Sequence, residues 1–330
     1  MAEVLTLNDY AHAPSLLVAG VAKILQDESK FMDILPFIDV GSLSVEVMRE
    51  GKLPQAIGWR KIGAPHGSYR ATNPTKIQEQ AFSFGNVIEV DKALIKDKAK
   101  KLYDPRAYQI EMITRAMARE FNDAALNGDG SNPDRPVGLK YRIKTDLAAS
   151  QTIYANTNVA ALDVSPDAAA RAANISLLLG KMDKLIYSCV GHKADYILCN
   201  DTFMVAWWDI ARTSGLLKVT TDNLGREFVD YKGAKFLDMG YKLDDTTPLM
   251  TNTELVDGTA DVGGTSSSLI AIRTGKEYFT GWQEYGMEVL NKGYKDSATG
   301  LTESTIIDWV IGLAISHPKS VTRLTGITVL

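Results

Sequence analysis

The residues of this chain that could do chemistry are four histidines, two cysteines and a few grouped carboxylates. His12, His66, His192 and His317 are never four residues apart, the spacing that turns two imidazoles toward one zinc ion on a helix. Cys189 and His192 stand close together and Cys199 follows, but a fourth ligand is missing. A buried thiol and a surface imidazole are the simpler reading. Asp129, Asn132 and Asp134 offer oxygen ligands at a spacing that does not fit a calcium loop. Asp244-Asp245 reads as a turn sooner than as a general acid and base. Gly128-Asp129-Gly130 follows a helical pattern, whereas a phosphate-cradling loop follows a strand and opens a helix, so it reads as a helix stop. There is no P-loop spacing and no Gly-x-Ser-x-Gly elbow. Asn174-Ile175-Ser176 and Asn200-Asp201-Thr202 match glycosylation sequons, which mean nothing in a cytosolic protein. No catalytic, metal or cofactor-binding set emerges from these residues.

The composition bounds the rest. The 330 residues carry 36 basic and 40 acidic side chains and are 45% hydrophobic, enough for a sizeable core in one large or two ordinary domains. A net charge of -4 excludes a whole-chain basic footprint for nucleic acid. No apolar stretch is long enough to span a membrane, and Glu3 and Asp9 without an early Lys or Arg argue against a secretory signal. A soluble intracellular protein is the base expectation. The charge is uneven, however. Residues 45–84 hold Arg49, Lys52, Arg60, Lys61, Arg70 and Lys76 against Glu46, Glu50 and Glu79, a basic segment in an acidic chain. A docking patch for another copy is one reading and a solvated loop the other.

Several elements follow from periodicity. Pro14 opens a short helix with an apolar stripe at Leu16, Leu17, Val21, Ile24 and Leu25, to be buried on its own domain or on a neighbour. Residues 42–84 read as a long hairpin: Leu43, Val45 and Val47 alternate with polar residues, extended stretches follow at Gln55 to Ile62 and Ile77 to Phe84, and Gly63, Pro65 and Gly67 make the tip. Val87 to Ile95 is a strand. Asp104 caps and Pro105 opens a helix whose stripe Ile110, Ile113, Met117, Phe121 and Ala124 runs to Gly128, roughly 34 Å in all. Ser165-Pro166 opens a helix to about Met182. Tyr196 to Cys199 is a strand, and Asn200 caps a helix bearing Phe203, Val205, Trp207 and Ile210. Of Trp207-Trp208, one indole is expected in the core and the other at an interface. Short strands are expected at Phe228 to Tyr231, Ala234 to Met239 and Leu269 to Arg273, with a mobile loop at Gly258 to Ser268. Ile306 to Ser316 is a long strand or a buried helix, which periodicity cannot separate. No repeat or low-complexity linker occurs. Mixed strands and helices without βαβ order predict an α+β fold.

The ordered series carries a resemblance. An apolar arm, a long basic hairpin, a strand, a spine-like helix ending Phe121-Asn122-Asp123-Ala124-Ala125-Leu126-Asn127-Gly128-Asp129-Gly130, and then Pro136-Val137-Gly138-Leu139 resemble the major capsid proteins of tailed bacteriophages. Tyr196-Ile197-Leu198-Cys199-Asn200, Gly225-Arg226-Glu227-Phe228 and Tyr231-Lys232-Gly233 are similar to that family's central domain. The resemblance implies an N-terminal arm at 1–40 and an extended hairpin, the E-loop, at 41–86, both reaching over neighbours. It further implies a P-domain at 87–150 with spine helix 105–127, an A-domain at 151–294, and a return to the P-domain sheet with a C-terminal strand at 295–330.

What the resemblance implies for function is structural and not enzymatic: subunits that assemble into hexamers and pentamers of an icosahedral head around double-stranded DNA. The implied partners are the chain itself, portal and scaffolding proteins, and nonspecifically held DNA, with no membrane and no cofactor; the implied location is the virion, reached through the host cytoplasm. Trp59, Arg60, Lys61, Tyr69 and Arg70 are the expected E-loop contact, aromatics giving apolar area and cations pairing with carboxylates. A mobile exposed tip is the alternative for those residues. DNA contact is expected to be weak, since no strongly basic inner face is evident. Two further readings stay open: an encapsulin-like shell around a cargo protein, and a soluble hydrolase or ligand-binding protein with a well-formed pocket.

Overall fold

A computed structural model describes residues 4–13, 15–49, 59–65, 75–96, 104–155, 168–215, 218–221, 227–255, 263–297 and 300–328. The spine helix spans Pro105–Asn127, with the Asp104 side chain accepting from the Arg106 N–H. Its stop has a steric cause. Gly138 N–H donates to Gly128 O at 2.8 Å, and the two backbones cross so closely that a Cβ on Gly128 would lie 2.3 Å from Pro136 O. A Cβ on Gly138 would lie 2.5 Å from Gly128 N, so both positions require glycine.

The N-terminal segment packs on its own chain. Helix Leu16–Glu28 buries Val21, Ala22 and Leu25 in the cluster that holds Met117, Ala118 and Phe121 of the spine. Phe31 packs between Phe121, tilted, and Phe279, stacked, with ring centroids 6.4 and 6.3 Å away. Burial of such a ring contributes about 1.5–3 kcal/mol. Ser29 Oγ donates to Asn122 Oδ1 at 2.6 Å, and Arg119 Nε to Glu28 Oε1 at 2.7 Å. Of the expected stripe, Leu16 and Leu17 alone face outward. Pro14 lies outside the described residues.

Two sheets share the body. In the first, the long strand Gly300–Ile315 pairs along one edge with Phe82–Asp91 and along the other with Glu288–Ser297 and Phe279–Gln283, the last continuing to Phe37–Asp39 and Val4–Leu5. Pairing on both edges decides the strand reading of Ile306 to Ser316 over the helix. Strand Phe82–Asp91 alternates, with Ile88 and Val90 buried and Val87 outside. It begins before residue 87 and ends at Asp91, where Lys92–Lys96 turns helical, so the expected strand to Ile95 is shortened. The expected stretch Ile77 to Phe84 is likewise split at Ala81 between two strands.

The second sheet has seven strands, in the order Thr152–Tyr154, Val321–Ile327, Ser267–Ile272, Tyr196–Cys199, Ala234–Asp238, Glu227–Tyr231 and Lys218–Thr221. Helices Ala168–Tyr187 and Asp201–Thr213 cover one face around Ile197, Phe203, Trp207 and Phe236. The other face, with Leu198, Leu237 and Ile270, joins the spine-helix cluster. Cover on both faces explains why every residue of Ser267–Ile272 is buried. It also corrects the expected loop at Gly258 to Ser268, whose last residues start this strand; 256–262 lie outside the described residues. The sheets exchange sequence: Phe279–Gln283 and Glu288–Ser297 belong to the first, and Val321–Ile327 returns to the second. No described helix is long and apolar enough to cross a membrane.

Candidate assembly surface

The hairpin strands Ser44–Arg49 and Thr75–Gln80 pair antiparallel, with Lys76 and Glu46 bridged at 2.7 Å on the exposed face. Their base is pinned to the body. Val47 packs with Trp282 and Ala314 of the first sheet. Arg49, one of the cations counted in the basic segment, is buried and donates through Nε to Ile315 O at 3.0 Å and through Nη1 to Asp146 O at 3.4 Å. Burial lowers the pKa of its guanidinium, against the pull of Glu79 and Asp146. Glu79 is also buried, 2.6 Å from Arg142 Nη1. Of the charges counted over residues 45–84, Arg49 and Glu79 are therefore engaged within the chain and are part of neither a docking patch nor a solvated loop.

One short helix, Leu139–Thr145, organises this junction. Residues two apart on a helix point to nearly opposite sides. Arg142 accordingly turns to the hairpin, with its Nε held by Val137 O at 2.8 Å. Lys140 turns to Glu254, which it meets at 2.5 Å; Arg323 of strand Val321–Ile327 reaches the other Glu254 oxygen at 2.8 Å. Burial raises the pKa of the Glu254 carboxyl, but the two cations outweigh it, and the pKa is lowered from its ordinary value. The hairpin base and the second sheet are thus tied to the same seven residues.

At the far end, Trp59, Arg60, Lys61 and Ile62 are all exposed. Lys61 O accepts from Ala64 N–H at 3.1 Å, Gly63 takes φ +88°, and Arg60 Nη1 donates to Ala64 O at 2.9 Å, closing a tight turn. An indole and an isoleucine wholly in water beside two cations are unfavourable in a lone subunit and suit a contact. The structure thus brings Trp59, Arg60 and Lys61 together; Tyr69 and Arg70 lie outside the described residues.

A second outward patch was half legible. Trp207 is buried, while Trp208 is exposed beside Val205 on helix Asp201–Thr213, with the Arg212 guanidinium 6.0 Å from its ring. The sequence singled out the indole pair but not Arg212, whose place seven residues after Val205 could have shown it.

The remaining candidates resolve as structure. Cys189 Sγ contacts Thr322 Oγ1 and Cys199 Sγ contacts Leu237 O; burial raises the pKa of both thiols. No metal-binding group of three or more such residues occurs among the described residues. Asp244 accepts from the Thr247 hydroxyl and the N–H groups of Thr247 and Thr246, which hold it at about 2, a turn as expected. Asn200 is buried as the cap of its helix, accepting from Phe203 N–H at 2.9 Å, so its sequon is closed. A cleft of about 180 Å³ between spine and first sheet is lined by apolar Phe82, Phe84, Phe121, Ile311 and Leu313 and by polar Glu120, Asn132, Asp134 and Arg135.

No protein-family model matches the chain, and no curated protein matches it. Solved structures do. The holo-SrpI encapsulin complex from Synechococcus elongatus PCC 7942 aligns with a TM-score of 0.58 at 14% identity, over 90% of this chain and 86% of that one. The structure of Mycobacterium phage Bobi gives 0.53 at 12% identity, over 92% and 89%. The capsid of the cyanophage P-SCSP1u gives 0.51 at 10% identity, over 88% and 85%. At these identities the likeness is one of fold: the chain has the α+β fold of phage capsid and encapsulin shell subunits.

Proposed function

We propose that the chain is a structural subunit of a phage head, assembling with copies of itself into hexamers and pentamers of an icosahedral shell around double-stranded DNA. One observation carries this: a fold shared with the capsid of the cyanophage P-SCSP1u over 88% of the chain. The hairpin supports it. Its root is held to the body by buried Arg142 and Glu79, and exposed Trp59 and Ile62 are free to meet a neighbour. Val205 and Trp208 offer a second, smaller contact. Each contact is modest alone, and many copies closing on one another add up to a stable shell. In this reading the protein is not an enzyme, its location is the virion, and portal and scaffolding proteins are its further partners.

A second reading is an encapsulin-like container for a cargo protein, which the fold match to the Synechococcus elongatus encapsulin favours. Nuclease treatment of sedimenting particles, followed by analysis of their contents, separates the two. Protected duplex DNA supports the phage head. A stoichiometric co-purifying protein without nucleic acid would replace it with the container.

A further inference from the structure

Three turns far apart in sequence meet at one end of the seven-stranded sheet. They are residues 190–195, after helix Ala168–Tyr187; residues 273–278, after strand Ser267–Ile272; and residues 316–320, before strand Val321–Ile327. Backbone bonds lock them together: Val190 N–H to Lys319 O, Arg273 N–H to Ser320 O and Ser316 N–H to Tyr278 O, each 2.8 Å. The Arg273 guanidinium braces the junction, donating to Val190 O at 2.6 Å and lying 4.0 Å from the Tyr278 ring centroid.

Cations project from this fixed frame. Lys193, Lys276 and Lys319 are exposed, with His192 also exposed and His317 half-buried. The carboxylates of these turns are Asp195 and Glu277. Asp195 is engaged by Thr274, accepting from its N–H at 2.9 Å and its hydroxyl at 3.5 Å. Among the described residues, Lys193, Lys276 and Lys319 form no ion pair. These turns thus carry four cations, Lys193, Lys276, Lys319 and Arg273, against the two carboxylates Asp195 and Glu277, a net positive patch on a chain of net charge -4 that favours an anionic partner.

We infer that this patch is a contact for the phosphate backbone of double-stranded DNA. The inference rests on the proposal that the shell holds DNA. Flexible ammonium groups on separate turns act as point charges and not as a rigid fork, which suits backbone contact without reading of bases.

The test uses the full chain as unassembled subunits, wild type and Lys193→Glu/Lys276→Glu/Lys319→Glu, with circular dichroism to confirm equal folding. Each is titrated with a labelled random-sequence duplex at several salt concentrations. The wild type is expected to bind with a log–log salt slope of about -3, the value for three phosphates neutralised. The variant is expected to lose about tenfold or more in affinity and most of that slope. Equal binding by both proteins would overturn the inference. Equal binding with assembly lost only in the variant would also overturn it, assigning the patch to a neighbouring subunit's carboxylates. Absence of shells from both proteins would sink the proposed shell function and leave the patch to the titration, which reads it directly.

Discussion

Replacing Glu254 with glutamine removes a charge that two cations share in the interior. The Glu254 side chain is 0% exposed, Lys140 8% and Arg323 4%, with contacts of 2.5 and 2.8 Å. Water cannot take over either contact. The variant leaves two buried cations facing a neutral amide, and breaking one buried pair costs about 3–5 kcal/mol. At about 2 °C per kcal/mol for a chain of this size, Tm of the unassembled subunit should fall by roughly 6–10 °C. The pH dependence has a definite sign. Because the folded carboxyl titrates below its ordinary 4.5, its stabilisation is complete above that pH and is lost as pH falls through the lower folded value. Wild type should therefore lose more stability than Glu254→Gln on acidification below about 4.5, and the two curves should converge. A further variant, Glu254→Gln with Lys140→Met and Arg323→Leu, removes the stranded charges and should recover most of the loss. Differential scanning calorimetry across pH reads all of this. A Tm shift of only about 1 °C in Glu254→Gln, or no recovery in the triple variant, would refute the reasoning.

The other predictions concern hairpin and spine. Arg142→Ala strands buried Glu79, so the hairpin root should loosen by about 3–5 kcal/mol; limited proteolysis should cut the hairpin faster in a subunit of unchanged circular dichroism. Trp59→Ala, at a fully exposed position, should change subunit stability by no more than about 0.5 kcal/mol by urea titration. The same change should weaken assembly by about 2 kcal/mol or more, read as a raised critical concentration in light scattering. Arg60→Glu with Lys61→Glu should give folded, unassembled subunits, and normal shells would refute the tip contact. Met117→Pro removes a hydrogen bond in the buried middle of the spine and clashes with the preceding turn, a cost of about 3 kcal/mol or more; it should abolish soluble expression.

The spine helix was legible to the residue because its signals are local: Asp104 and Pro105 at the start, a stripe at helical spacing, and Gly128 at the end. The cap at Asn200 and the strand Tyr196–Cys199 were legible for the same reason. What depends on partners was not. The strand at Ile306 is decided by neighbours on both edges, and the exchange of strands between sheets leaves no trace in periodicity. Arg49 looked like any surface cation until Ile315 O and Asp146 O stood beside it. The patch of Lys193, Lys276 and Lys319 is spread over three turns, so no window of sequence contains it. Trp59, Arg60 and Lys61 follow from composition and a turn signal, and Arg212 was open to helical spacing from Val205, while the junction role of helix Leu139–Thr145 comes from the fold alone.

The central claim is self-assembly into a closed shell, and negative-stain electron microscopy of the purified full chain, with light scattering, tests it most directly. The account predicts closed particles, or rings of five or six subunits, in wild type, and their loss in Arg60→Glu with Lys61→Glu. Discrete monomers or dimers at every concentration and salt, with and without co-expressed scaffolding protein, would contradict it.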